Sequence, residues 1–307
     1  MQEARTARLQ SLAKVNLDLR ILHKRADGFH EIRTVFQTIS LSDTIRVSYT
    51  PASKSTITIT GNVDIPGNLI EAAAEAILAI YKPKGIIHFD LQKSIPMGGG
   101  LGGGSSNAAA VLLGLPALMG LRIPMRKLEE IAASLGSDIN FFLHGGTVFG
   151  FGRGTELCPL PEIKVRKGWV VAPGIAVSTA LAYRDLNREV GESSTGFEPY
   201  VWDLDQGYSD QSVNDFEATV YGRHPKLHTI HKKLVRAGAS DVRMSGSGSS
   251  IFAFFDRIEP VRSILEGYTV HRIATVTRRQ YRKLWWRQLR EHVSPGEIWP
   301  PHSRYAQ

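Results

Sequence analysis

A single cysteine, Cys158, is all that the 307 residues contain. An internal disulfide is thereby excluded, and a lone thiol is ordinary in a reducing compartment. Long apolar runs are missing too. The longest nearly apolar stretch, residues 108–121, carries Pro116 and is too short for a bilayer core of ~30 Å. The N-terminus has no basic, apolar, small-residue order of a secretory signal, so no transmembrane segment and a cytoplasmic location are expected. Acid is the scarcer charge, with 29 Asp and Glu against 37 Lys and Arg, a net of +8. That surplus is local. From Thr277 onward there are seven Lys or Arg and two Glu, so 37 − 7 = 30 basic and 29 − 2 = 27 acidic residues remain before it. A body carrying only +3 does not suit coating a nucleic acid, and no nucleic-acid partner is expected.

What the chain has in abundance is glycine at one place. Pro96-Met97-Gly98-Gly99-Gly100-Leu101-Gly102-Gly103-Gly104-Ser105-Ser106-Asn107 holds six glycines in seven positions and runs straight into the apolar residues 108–113. Glycine costs backbone entropy, so such density implies positive φ angles or a ligand lying against bare backbone. Ser105, Ser106 and Asn107 are good N-caps for a helix over 108–113. A glycine loop feeding a helix start gathers unpaired N–H donors at the positive end of the helix dipole, where polyphosphate binds well. No Gly-Lys-Ser/Thr ending follows, so this is not a Walker A loop. The loose match to Gly-x-Gly-x-x-Gly is what any glycine run gives. The loop points to phosphate without saying whose.

Residues 13–22 alternate apolar and polar, and residues 34–39, 44–49 and 55–60 are short β-branched runs; all four read as strands. Helices are expected at 69–81 and 127–135, the latter with Gly136 as C-cap, and a strand at 85–91 lies between the first helix and the glycine loop. After 169–172 come further helices near 178–187, 213–221 and 226–237, an irregular connection at 192–207, and a strand at 251–255. Strands first, then helices, then strands again suggest an α+β fold. A second glycine-serine loop, Ser245-Gly246-Ser247-Gly248-Ser249, immediately precedes the last strand.

Five segments occur together in an order that resembles the GHMP kinase superfamily: 12–16 (Leu-Ala-Lys-Val-Asn), 27–30 (Asp-Gly-Phe-His), the 96–107 loop, 135–138 (Leu-Gly-Ser-Asp) and 244–249. Within it, 25–30 followed by 34–37 (Thr-Val-Phe-Gln) resembles the branch that phosphorylates the 2-hydroxyl of 4-diphosphocytidyl-2-C-methyl-D-erythritol in isoprenoid precursor synthesis. The resemblance covers residues 13–276. It implies a two-lobed fold, with an N-terminal lobe like ribosomal protein S5 domain 2 over 1–160 and a ferredoxin-like lobe over 161–276. Residues 277–307 form a basic tail containing Trp285, Trp286 and Trp299. ATP and Mg2+ are implied, with a monomer or homodimer as the assembly.

The resemblance also implies roles. Asp138 would accept the hydroxyl proton, beside Lys14, and Asn16 would orient the substrate through its amide. Phe29, Phe36 and Tyr183 would surround the cytosine and His30 would hydrogen-bond it. Asn68 and Leu69 would border the adenine, and Ser245, Gly246, Ser247 and Gly248 would close over the phosphates. Plainer readings exist for each residue: Asp138 as the cap of a helix from Ile139, Lys14 as a solvated strand residue, Phe29 and Phe36 as core. Lys93 could reach the phosphate loop or sit in solvent. The chain departs from the pattern at Asn140, where proline is usual, and at Gly67, where aspartate is usual. No carboxylate can be assigned to the metal, which leaves phosphates, water and Ser105 or Ser106. In the tail, residues 282–290 suit an amphipathic helix packing Trp285, Trp286 and Leu289 on the body, and a chain ending near Val276 is expected to stay folded.

Overall fold

The computed structural model describes residues 3–187, 212–257, 261, 263–294 and 300–301. The connection expected at 192–207 and Trp299 lie outside them. The chain opens with two long strands, β1 (Arg5–Lys24) and β2 (His30–Pro51), paired antiparallel along most of their length. The runs 34–39 and 44–49 are thus one strand. Burial keeps alternating through Leu41 and Asp43, and Asp43 turns inward to accept the N–H groups of Ser94 and Ile95. With β3 (Thr56–Gly61), β4 (Gly85–Gln92), β5 (Thr147–Gly152) and β6 (Glu156–Pro159), the sheet runs β3-β4-β2-β5-β6, and β1 lies against β2.

Four helices cover one face of this sheet: α1 (Leu69–Tyr81), α2 (Gly103–Met119), α3 (Met125–Leu135) and α4 (Ile139–His144). Helix α2 is buried all round from Ser106 to Leu118, as befits a helix apolar on every side. Helix α3 ends at Gly136 as expected, but that glycine is extended (φ 171°) rather than left-handed.

The second lobe holds β7 (Lys167–Ala172), α5 (Thr179–Leu186), α6 (Phe216–Arg223), α7 (Pro225–Arg236), β8 (Asp241–Met244), β9 (Ile251–Phe255) and β10 (Thr269–Ala274). Its antiparallel sheet runs β10-β7-β9-β8. The order fourth, first, third, second is that of a ferredoxin-like lobe. Helix α6 starts at Phe216 rather than 213, because Val213 and Asp215 hydrogen-bond the backbone of Leu19. The free face of the first sheet (Ala13, Val15, Leu17, Val35) packs on the second (Val170, Phe252, Phe254). Strand β1 is therefore covered on both faces, and residues 11–19 are all buried.

Beyond β10, helix α8 (Arg278–Leu289) begins with a capping box between Thr277 and Gln280. Tyr281, Trp285 and Leu289, spaced by four, enter the same apolar cluster as α2 and α4. Trp286 lies about 100° further round the helix and is 39 % exposed, so it does not pack with them. This packing weighs against the expectation that a chain ending near Val276 stays folded. Such a chain would strip two fully buried aromatic side chains from the main core, each such loss costing about 3–5 kcal/mol.

Candidate active site between two glycine loops

The first glycine loop ends in an unexpected way. Ser105, Ser106 and Asn107 are not caps; they lie inside α2, whose N-cap position is Gly102 at φ 69°. The side chains of Ser106 and Asn107 turn to the core instead. Ser106 Oγ donates to the Leu12 carbonyl at 2.7 Å, and Asn107 Nδ2 to Ser11 Oγ at 2.6 Å and Asp43 Oδ2 at 3.0 Å. With no side chain capping it, the start of this 17-residue helix keeps its first-turn N–H groups for an outside anion.

The second loop clasps the first. Ser245 Oγ donates to the Gly100 carbonyl (2.9 Å) and Ser250 N to the Gly99 carbonyl (3.2 Å). A Cβ on Gly100 would stand 1.9 Å from the Ser245 carbonyl oxygen, so only glycine fits. Behind the loops, Asn214 Nδ2 donates to the carbonyls of Met244 and Gly246.

Strand β1 reaches this place through two register shifts, between Leu12 and Lys14 and between Asn16 and Asp18. Such bulges re-aim side chains. The first frees Lys14 N to donate to the Leu101 carbonyl (3.0 Å). Lys14 and Asn16 then share a face, two residues apart. Lys14 Nζ donates to Asn16 Oδ1 at 2.7 Å and stands 3.4 Å from Asp138 Oδ2. Asn16 Nδ2 donates to Thr34 Oγ1, which donates to the Asp18 carbonyl, both at 2.7 Å. Each end of the Asn16 amide thus has a partner inside the protein. It holds the Lys14 ammonium and at the same time lines the inner cavity.

Asp138 occupies the N-cap position of α4, yet its side chain makes no capping hydrogen bond. Its carboxylate, one-third exposed, faces Lys14 and two joined cavities. The inner one, about 200 Å³, is lined by Lys14, Asn16, Phe36, Gly100, Asp138 and Gly246 among others. The outer one, about 750 Å³, holds Phe29, His30, Asp138, Arg153, Thr179 and Tyr183. His30 and Tyr183 stack at 4.6 Å, and Phe216 meets Tyr183 edge-on at 4.9 Å. Burial lowers the His30 pKa, with Lys24 and His23 adding to it. The Tyr183 phenol is pushed up to about 12 by burial and then by the Asp138 charge. Both rings are therefore neutral at pH 7.

Phe36 is separated from the other expected base contacts. It is buried against Phe141, with Lys14 Nζ 5.4 Å above its ring, and floors the inner cavity. Phe29 is half exposed at the rim of the outer one, under the Arg153 guanidinium at 4.5 Å. Asn68 caps α1 through Oδ1 and borders a separate groove of about 530 Å³ along β3, while Leu69 stands by Gly104. Lys93 is not solvated: its ammonium is buried on Asp43 at 2.5 Å, with Asn107 Oδ1 at 3.3 Å.

Three residues of the site escaped sequence reasoning. Arg153 carries no motif beyond its flanking glycines. Thr34 was read as a strand residue and as part of the 34–37 motif, without a role in the site. Thr179, whose Oγ1 lies 2.8 Å from Ser247 Oγ, ties α5 to the second glycine loop. Among the described residues, no group of three His, Cys, Asp or Glu side chains could hold a metal, and no helix is long and apolar enough to cross a membrane.

Glycine loops clasped across two lobes, with a lysine–aspartate pair between them, define a GHMP-type small-molecule kinase. Family descriptions agree: "GHMP kinases N terminal domain" matches residues 68–146 and "GHMP kinases C terminal" residues 206–268. A 4-diphosphocytidyl-2-C-methyl-D-erythritol kinase of Solibacter usitatus is 50% identical over 99% of both chains, and one of Geobacter sulfurreducens is 38% identical over 81% of this chain and 89% of its own. The crystal structure of a 4-(cytidine 5'-diphospho)-2C-methyl-D-erythritol kinase superposes with a TM-score of 0.74 at 32% identity, over 87% of this chain and 98% of that one. A homoserine kinase of Cytophaga hutchinsonii shares the fold alone, at 17% identity and a TM-score of 0.64, over 90% of this chain and 96% of its own. The chain belongs to the 4-diphosphocytidyl-2-C-methyl-D-erythritol kinase family. The near full-length match to the Solibacter chain also gives the tail a counterpart, which the sequence reading could not place.

Proposed function

We propose that this chain transfers the γ-phosphoryl group of ATP to the 2-hydroxyl of 4-diphosphocytidyl-2-C-methyl-D-erythritol, and that each site residue acts as follows. Phosphoryl transfer asks a protein for positioning and charge stabilisation more than for covalent chemistry. Asp138 accepts the proton of the attacking hydroxyl as its oxygen bonds to the γ-phosphorus and the bond to the departing ADP oxygen breaks. Lys14, held by Asn16, which Thr34 anchors in turn, pairs with Asp138 and faces the charge that develops beside it. The amides of Gly103, Gly104 and Ser105, with residues 245–248, cradle the phosphates. Neutral His30, stacked on Tyr183, reads the cytosine edge, and Phe29 with Arg153 closes over the base from the rim. Asn68 and Leu69 border the adenine along the groove beside β3.

A bound Mg2+ would neutralise charge on the transferring phosphates. Ser105 is the hydroxyl free to meet it, since Ser106 is spent on Leu12. Among the described residues no group of three His, Cys, Asp or Glu side chains is placed to hold a cation, which suits an ion held chiefly by phosphate and water.

The observation that carries this reading is the uncapped Asp138 carboxylate, 3.4 Å from the Lys14 ammonium and facing both cavities. Its test is to offer ATP and Mg2+ with the cytidyl substrate, homoserine or mevalonate and to follow ADP release. Turnover with the cytidyl compound alone is expected. Equal or better turnover of homoserine or mevalonate would refute it.

A further inference from the structure

Asp138 stands at the head of helix α4, which is only six residues long. A helix of that length has no stability of its own, so its direction is set by what it touches. All six of its residues are buried, and Phe142 makes the two contacts that matter. Its ring lies where a Cβ on Gly102 would come within 2.7 Å, directly beneath the start of α2. Its carbonyl, one of the last-turn acceptors that a helix leaves open, receives the Tyr281 hydroxyl of α8 at 2.5 Å, from 139 residues further along the chain. Tyr281 is held in turn. Its ring fills the space a side chain on Gly145 would need (2.3 Å), and Trp285 meets it edge-on at 6.1 Å. On the other flank, Gly146 N donates to Thr38 Oγ1 at 2.9 Å.

We propose that Tyr281 is a positioning residue for phosphoryl transfer: through Phe142 it fixes α4, and with it the placement of Asp138 relative to Gly102 and the phosphate loop. The C-terminal helix is then part of the machinery of the reaction and not an appendage. Tyr281 lies in the core and touches no ligand cavity, so it acts only through its neighbours. The inference rests on the reading of Asp138 as proton acceptor.

The test is Tyr281→Phe in the full chain, which deletes the hydroxyl and keeps the ring against Gly145. The expected result is a kcat roughly three- to tenfold lower, the range one lost buried hydrogen bond supports, with the KM for ATP and for the cytidyl substrate within about twofold. In an Asp138→Asn background the same change should lower the residual turnover no further, because both act on one step. A purely structural role would lower the melting temperature and leave kcat intact, and that result would overturn the inference. Equal fractional losses in both backgrounds would also overturn it. Trp285→Phe, which keeps the hydroxyl but loosens its backing, should give a smaller loss confined to kcat, and serves if Tyr281→Phe does not fold; an unchanged kcat there counts against the proposal. Normal turnover by Asp138→Asn alone would instead refute the functional reading beneath it.

Discussion

The inner and outer cavities share Asp138 and Tyr183 but are built in opposite ways. Around the inner one, side chains are buried and hydrogen-bonded to each other: Lys14 to Asn16, Asn16 to Thr34, Thr34 to the backbone of Asp18. Around the outer one, recognition depends on rings, one of them half exposed on the turn between β1 and β2, with few polar ties. Of the pair proposed for the chemistry, Lys14 sits on a bulged strand covered on both faces and Asp138 at the head of a buried helix. The side chains proposed for base binding sit at a rim. Substitutions inside should therefore act on kcat, and those outside on KM.

The largest effect on ATP binding should come from the floor of the phosphate site. Gly100→Ala forces a Cβ onto the Ser245 carbonyl at positive φ, and ATP affinity measured by calorimetry should fall at least 100-fold. Lys14→Met should follow, with kcat down about 10²–10³-fold and the substrate KM nearly unchanged; a change in KM alone would move Lys14 to the binding side. His30→Ala should raise the KM for the cytidyl substrate on the order of tenfold without altering that for ATP, and Phe29→Ala should do the same less strongly. A matching rise in the ATP KM would erase the distinction between the cavities.

The smallest effect concerns pH. Burial holds the His30 pKa below its ordinary 6.5. As pH falls through that value the unfolded chain takes up a proton that the folded site resists, so stability declines. Wild type should then lose more melting temperature between pH 7.5 and 5.5 than His30→Gln, by on the order of 1 °C. An identical loss would show that the imidazole is not desolvated.

Much of this was legible in the sequence because it is local. The glycine loop, the helix at 69–81 and the strand at 251–255 depend on neighbours in the chain, and they stand nearly where they were expected. The helix start moved because Ser106 and Asn107 have partners 94 and 96 residues away, which no local rule can weigh. The hold of Asn16 on Lys14 was hidden for a similar reason: two bulges set its amide between Lys14 and Thr34. The tail was legible in part: Trp285 and Leu289 pack on the body as the amphipathic pattern implies, whereas Trp286 turns outward and Tyr281, one turn earlier, completes the core stripe. Lys93 was ambiguous until Asp43, 50 residues before it, was found beside it.

Asp138→Asn tests the central claim most directly, with steady-state ADP release and ATP affinity measured on the same preparation. Loss of about 10³-fold or more in kcat with ATP affinity preserved is the predicted result. Turnover near that of the wild type would contradict the account, since among the described residues no other carboxylate lines the inner cavity.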